Sequence, residues 1–214
     1  MHSTAPTTSI ETVTIVRPLK VIAMLCLVAA LILLVVCLVS TWWLRSGGFR
    51  TGLFEECMSS SGDGGLSSAN RIPSAPAPGK CQGVRPRWYL RIVAGLMVAA
   101  FLIVAVAAAL TLLGLMSSNF SRKYLWYKIA TWLALLAVLL KLIGLVVFPV
   151  FFYMEMNKYG RRSWEFDWSY GVAWGATLFA FGGALLLICD KEHEEIYYKE
   201  KTIYHSPTEM KSHV

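Results

Sequence analysis

The chain has 214 residues, 56% of them hydrophobic and 15% charged, with a formal net charge of +7 and a mean hydropathy of +0.55. That hydropathy lies well above an ordinary soluble domain's and marks a membrane protein. The basic residues are scattered through short segments with no aromatic-basic platform among them, which argues against a nucleic-acid-binding module.

Residues 1–20 open with a Thr- and Ser-rich stretch, Met1 to Val16, expected to be a short cytoplasmic tail. The first apolar run, Val21 to Val39, has the length of a membrane-crossing helix, about 20 residues. It follows Arg17, Pro18 and Lys20 and lacks a small-x-small cleavage site, so it is expected to be retained rather than removed as a secretory signal.

The loop over 41–91 begins with Trp42 and Trp43, whose amphipathic rings suit a membrane interface. It continues as RSGGFRTGLFEEC, where glycines and short apolar pieces favour hairpin strands. The stretch between Cys57 and Cys81 is then rich in Ser, Gly, Ala and Pro, a composition that builds no core and predicts a loose insert with strands on either side. Cys57 and Cys81 are the two cysteines outside apolar runs and their ends, and such a pair suits a disulfide in an oxidising compartment. Cys26, Cys37 and Cys189 read as packing thiols, with Cys189, next to Asp190 and Lys191, also a candidate for S-acylation.

The second run, Ile92 to Met116, carries small residues at Ala94, Gly95, Ala99, Ala105, Ala109 and Gly114. The third, Ile129 to Val150, has an aromatic continuation past Phe148-Pro149 and holds Lys141 near its middle. A charge there is a functional candidate by default, but proton and ion paths need several polar groups. The reading with more weight is an amine that snorkels toward water or backbone carbonyls. The fourth run, Gly171 to Cys189, has Gly171 and Gly175 four apart, and Ala176, Ala180 and Ala184 likewise. Apolar helices in lipid associate through close backbone approach, so these small residues predict a packing helix.

Helices are thus expected at about 21–40, 92–116, 129–152 and 170–189, with loops at 41–91 and 153–169 and a tail at 190–214. Loop lysines and arginines divide almost evenly between the two sides and do not orient the chain. The cysteine pair places the first loop outside and both termini in the cytoplasm. Asn119-Phe120-Ser121 fits a glycosylation acceptor and points the other way, but it begins three residues past the second run, too close to the membrane for modification.

The tail has no periodic apolar face and is expected to be disordered alone. Its Ser212-His213-Val214 ending has the form that a PDZ domain reads by strand addition. Glu192-His193-Glu194-Glu195 is read as solvated charge rather than a metal site. No nucleophile triad, zinc helix or phosphate loop stands near a possible pocket, so no enzyme, metal or cofactor is expected.

Trp42 or Trp43 followed by Gly52-Leu53-Phe54, Cys57 and Cys81 resembles the first-loop signature of the claudin superfamily, with Phe54 where the family has Trp and a longer gap between the cysteines. The stretches SWEFDWSYGVAWGATLFAFGGALLLIC and VRPLKVIAMLCLVAALILLVV look most like the transmembrane protein 47 branch. The resemblance implies an all-α membrane protein: a left-handed four-helix bundle capped outside by a small antiparallel sheet, mostly from the first loop with one strand from the second. It implies a Cys57–Cys81 disulfide, and a loop motif, Trp42 or Trp43 with Gly52, Leu53 and Phe54, that seats the sheet on the membrane. It also implies a non-enzymatic protein of cell junctions, adherens or tight, whose partners are the lipid bilayer, itself or other junctional membrane proteins, a PDZ scaffold and the cadherin-actin system. Two rival readings are an auxiliary subunit of a channel or receptor, and a paracellular pore lined by Arg45, Arg50, Arg71, Lys80, Arg85, Arg87 and Arg91.

Overall fold

The computed structural model of the chain describes residues 18–60, 76–117, 120–158 and 164–209. Four helices account for most of it: α1 (Pro18–Val39), α2 (Trp88–Met116), α3 (Phe120–Lys158) and α4 (Trp168–Glu209). All four have a stretch long and apolar enough to cross a membrane, ending in α3 at Glu155 and in α4 at Cys189.

The helices meet along stripes whose buried residues recur at intervals of three and four. In α1 these are Lys20, Ala23, Leu27, Ala30, Leu34 and Cys37; in α3, Tyr127, Ala130, Ala134, Ala137, Lys141, Leu145, Phe148 and Phe152, with Val138 and Gly144 buried beside that stripe. Alternation of three and four averages near 3.5, slightly below the 3.6 of a straight helix, which is the spacing of left-handed packing. Residues on the opposite sides, such as Leu25, Ile32, Leu102, Trp132 and Leu178, are exposed apolar groups suited to lipid.

The helices outrun their apolar stretches. Hydropathy marks depth in lipid, whereas the backbone continues wherever its hydrogen bonds do. So α2 begins at Trp88, and α3 takes in Arg122 and Lys123 at one end and Glu155 at the other. The expected disorder after Cys189 is corrected: α4 runs on to Glu209, because a segment of Glu and Lys, both good helix formers, prolongs an existing helix without needing an apolar face.

At the end where α1 finishes and α2 begins, five short strands form one antiparallel sheet. They are β1 (Leu44–Ser46), β2 (Phe49–Thr51), β3 (Glu55–Met58), β4 (Cys81–Gly83) and β5 (Glu165–Phe166), in the order β4-β3-β2-β1-β5. Four come from the first loop and β5 from the second. Ser46 pairs with Phe49, leaving a two-residue turn of Gly47-Gly48 in which Gly47 has φ +58°, a conformation that glycine adopts without strain. The expected loose insert lies largely outside the described residues, as do Met1 to Val16, Asn119 and Ser212-His213-Val214.

Candidate functional site

The sheet is keyed into the bundle by Trp43, a fully buried residue and the largest such side chain among those described. Its indole Nε1 donates to the Cys37 carbonyl at 2.6 Å, one of the carbonyls that the end of α1 leaves without a helical donor. Its ring stands edge-on to Phe148 of α3 at 5.2 Å and to Tyr170 of α4 at 6.0 Å. One side chain thus joins α1, α3, α4 and the strand that follows it.

The loop motif divides by role. Gly52 sits where an added Cβ would lie 2.5 Å from the Ser40 carbonyl oxygen and 2.9 Å from the Thr41 Cα, so the return of the loop onto the end of α1 requires glycine. Leu53 is buried with Leu44 and Phe49 in the core beneath the sheet. Phe54 is half exposed and contributes its carbonyl, which accepts from Val84 N at 2.9 Å. Trp42 lies under the Arg50 guanidinium at 4.2 Å instead of entering the core. Of the two tryptophans, the seat is Trp43.

Cys57 of β3 and Cys81 of β4 are directly opposite in register and form a disulfide. The bridge closes a loop of 24 residues in sequence separation, so opening it releases chain entropy to the unfolded state. Replacing both cysteines by Ser is expected to cost about 3 kcal/mol of stability, read as a lower midpoint of thermal aggregation in detergent, with no further loss on adding reductant.

Two polar clusters that the sequence reading did not single out tie the sheet and the helix ends together. Glu56, buried on the bundle side of β3, accepts from Gln82 Nε2 at 2.7 Å and from Arg85 Nε at 3.2 Å. Glu155 of α3 pairs with Arg87 and accepts from the Tyr89 hydroxyl at 2.6 Å. The loop expected from 153 starts later, since α3 extends to Lys158 and makes Glu155 a helical acid, 14 positions or about 21 Å along the helix from Lys141.

Lys141 is fully buried in the α3 stripe, and its Nζ donates to the Ala176 carbonyl of α4 at 3.0 Å. Of the two outlets expected for this amine, the structure shows the backbone carbonyl, reached by a side chain closed off from the surface. The approach depends on the alanine stripe: Ala173, Ala176, Ala180 and Ala184 are all buried, which brings the α4 backbone within reach. Gly171 and Gly175 do not share that role, since an added Cβ at Gly171 meets nothing within 4 Å and at Gly175 only Leu33 at 3.9 Å. The glycine at a tight crossing is Gly183, whose Cβ would lie 3.2 Å from the Ala23 carbonyl oxygen of α1.

A second bond runs the opposite way between the same helices. Pro149 lies inside α3 and has no N–H, so the carbonyl four residues earlier, Leu145, lacks its helical donor. The Tyr170 hydroxyl of α4 donates to that oxygen at 2.8 Å, which is how a helix in lipid satisfies a backbone group freed by proline. Tyr170→Phe is expected to cost about 1–2 kcal/mol, and much less in a Pro149→Ala background, where the substituted alanine restores the backbone donor. Thermal midpoints of the four proteins in this cycle test the assignment.

Cys189 is exposed at the end of the apolar part of α4. Among the described residues no group of three His, Cys, Asp or Glu is placed to hold a metal ion.

A bundle of four membrane-crossing helices that carries a disulfide-clasped sheet, pinned to three helices by one tryptophan, is a tetraspan membrane protein of the capped type. Residues 19–187 match the family model described as the PMP-22/EMP/MP20/Claudin family, and the chain belongs to that family. It is also similar to a zebrafish (Danio rerio) protein named p53 apoptosis effector related to PMP-22, with 30% identity over 136 residues, covering 58% of this chain and 70% of the relative.

Proposed function

We propose that this protein is a non-enzymatic component of cell-cell junctions, in which the sheet lies outside the cell and makes adhesive or lateral contacts while the helices pack in the bilayer. The observation that carries the reading is the sheet's attachment: Trp43 keys a five-stranded surface into the bundle, and the Cys57–Cys81 bridge clasps two of its strands. A held surface makes contacts at low entropic cost. The disulfide supports an external position for the sheet, and hence cytoplasmic termini.

The α4 extension carries the chain away from the membrane toward Ser212-His213-Val214, which has the form that PDZ scaffolds read when the carboxylate is free. Such scaffold linkage would connect the protein to the cadherin-actin system.

The test is imaging of the tagged protein, with and without Ser212 to Val214, in polarised epithelial cells beside cadherin and tight-junction markers. Enrichment of the full chain at lateral contacts is expected, with the truncation reporting whether the tail directs it. A diffuse distribution of both forms refutes the junction reading and moves the auxiliary-subunit reading to first place.

A further inference from the structure

The two faces of the sheet treat charge differently. On the side packed against the bundle, Leu44, Ser46, Phe49, Thr51 and Glu56 are buried, and the one carboxylate there, Glu56, is bonded within the chain. Side chains alternate along a strand, so Arg45, Arg50 and Glu55 lie on the other face. Glu165 joins that face by standing opposite Arg45 in register, just as Arg50 stands opposite Arg45 on the other side.

A row of Glu165, Arg45 and Arg50 therefore crosses three adjacent strands, with Glu55 nearby on β3. None of these four makes an ion pair among the described residues. Two like charges directly opposed on neighbouring strands are unfavourable, and among the described residues no carboxylate pairs with either arginine. Arg50 is also preorganised. Its guanidinium stacks over Trp42 at 4.2 Å, and its Nε is buried with no hydrogen-bond partner. A stacked guanidinium keeps its in-plane N–H groups aimed outward, the geometry that receives a carboxylate.

We propose that this face docks a second copy of the same chain, with Arg45 and Arg50 of each copy meeting Glu165 and Glu55 of the other. The face holds two charges of each sign and is neutral overall, so it complements itself when turned about a two-fold axis, the relation by which residue i meets j and j meets i. A polyanionic glycan or an anionic lipid surface would meet Glu55 and Glu165 as well as the arginines, and sulfated glycans are bound by longer basic runs. Exposed ion pairs are individually weak, so they set orientation and partner choice, and many copies in facing membranes supply the strength. This names the partner for the contacts proposed above and rests on that reading for its setting in cells.

The test uses the full chain in two populations of dye-labelled liposomes, with clustering read by energy transfer between them. Wild-type vesicles are expected to cluster. The double variant Arg45→Glu with Arg50→Glu, and the double variant Glu55→Arg with Glu165→Arg, each lose clustering with themselves and regain it when mixed with one another. The milder Arg45→Gln, at an exposed position, weakens clustering in part and guards against misfolding, as does retention of the disulfide in every variant. Absence of wild-type clustering, unchanged clustering of the reversed variants, or failure of the mixed pair overturns the proposal. A wild-type chain that clusters vesicles but stays diffuse in epithelial cells overturns the junction reading instead, so the two failures are separable.

Discussion

Trp43→Ala is expected to leave the protein unable to hold its sheet, with a loss of about 3–5 kcal/mol from the vacated volume alone. The side chain is fully enclosed, and its neighbours come from separate elements: Phe148 from α3, Tyr170 from α4 and the Cys37 carbonyl from α1. No one of these can collapse into the space without leaving its own partners, so relaxation recovers little. The lost Nε1 bond also leaves the Cys37 carbonyl without that donor beneath the sheet, which adds about 1 kcal/mol. Trp42→Ala, by contrast, removes only a platform for Arg50 and is expected to cost less than about 1 kcal/mol. Surface delivery in cells together with the thermal midpoint in detergent separates the two. Equal effects from Trp42 and Trp43 would refute the assignment of the seat.

Lys141→Glu is expected to be the most damaging change within the bundle, whereas Lys141→Met is expected to be tolerated. The amine contacts a carbonyl oxygen at 3.0 Å in a fully buried position. A carboxylate there would face that oxygen with no donor, and an uncompensated buried charge costs about 3–5 kcal/mol. Methionine matches the length of the lysine stem and has no charge to desolvate. The Ala176 carbonyl keeps its place in the α4 helix in either case, so the Met protein is expected to fold with a midpoint close to the wild type's. Should Lys141→Met fold normally yet fail to gather at cell contacts, the residue has a role beyond packing.

The helices were legible because four apolar runs of membrane-crossing length admit little else, and the sheet was legible through the Trp, Gly-Leu-Phe and two-cysteine pattern. Legibility failed where a residue's role depends on a neighbour distant in sequence. Neither Pro149 nor Tyr170 carries in the chain any sign of the other; only the i to i−4 relation inside α3 and the packing of α4 against it turn them into a freed carbonyl and its donor. The glycine spacing of the fourth run points to Gly171 and Gly175, but Gly171 opens onto empty space and Gly175 makes only an ordinary contact, while Gly183, two further steps of four along the same row past Phe179, meets the α1 backbone. Spacing locates a stripe without saying which side of the helix the neighbour occupies. Likewise the charged tail has no periodic apolar face of its own, but the helix already running into it decides its structure.

The account depends most on the sheet lying outside the cell, at contacts between cells. An epitope inserted in the segment 61–75, between β3 and β4, would report both at once when stained on living epithelial cells. Staining without permeabilisation, concentrated along borders shared by two expressing cells, is the predicted result. Staining that appears only after the membrane is opened would place the sheet in the cytoplasm and contradict the account.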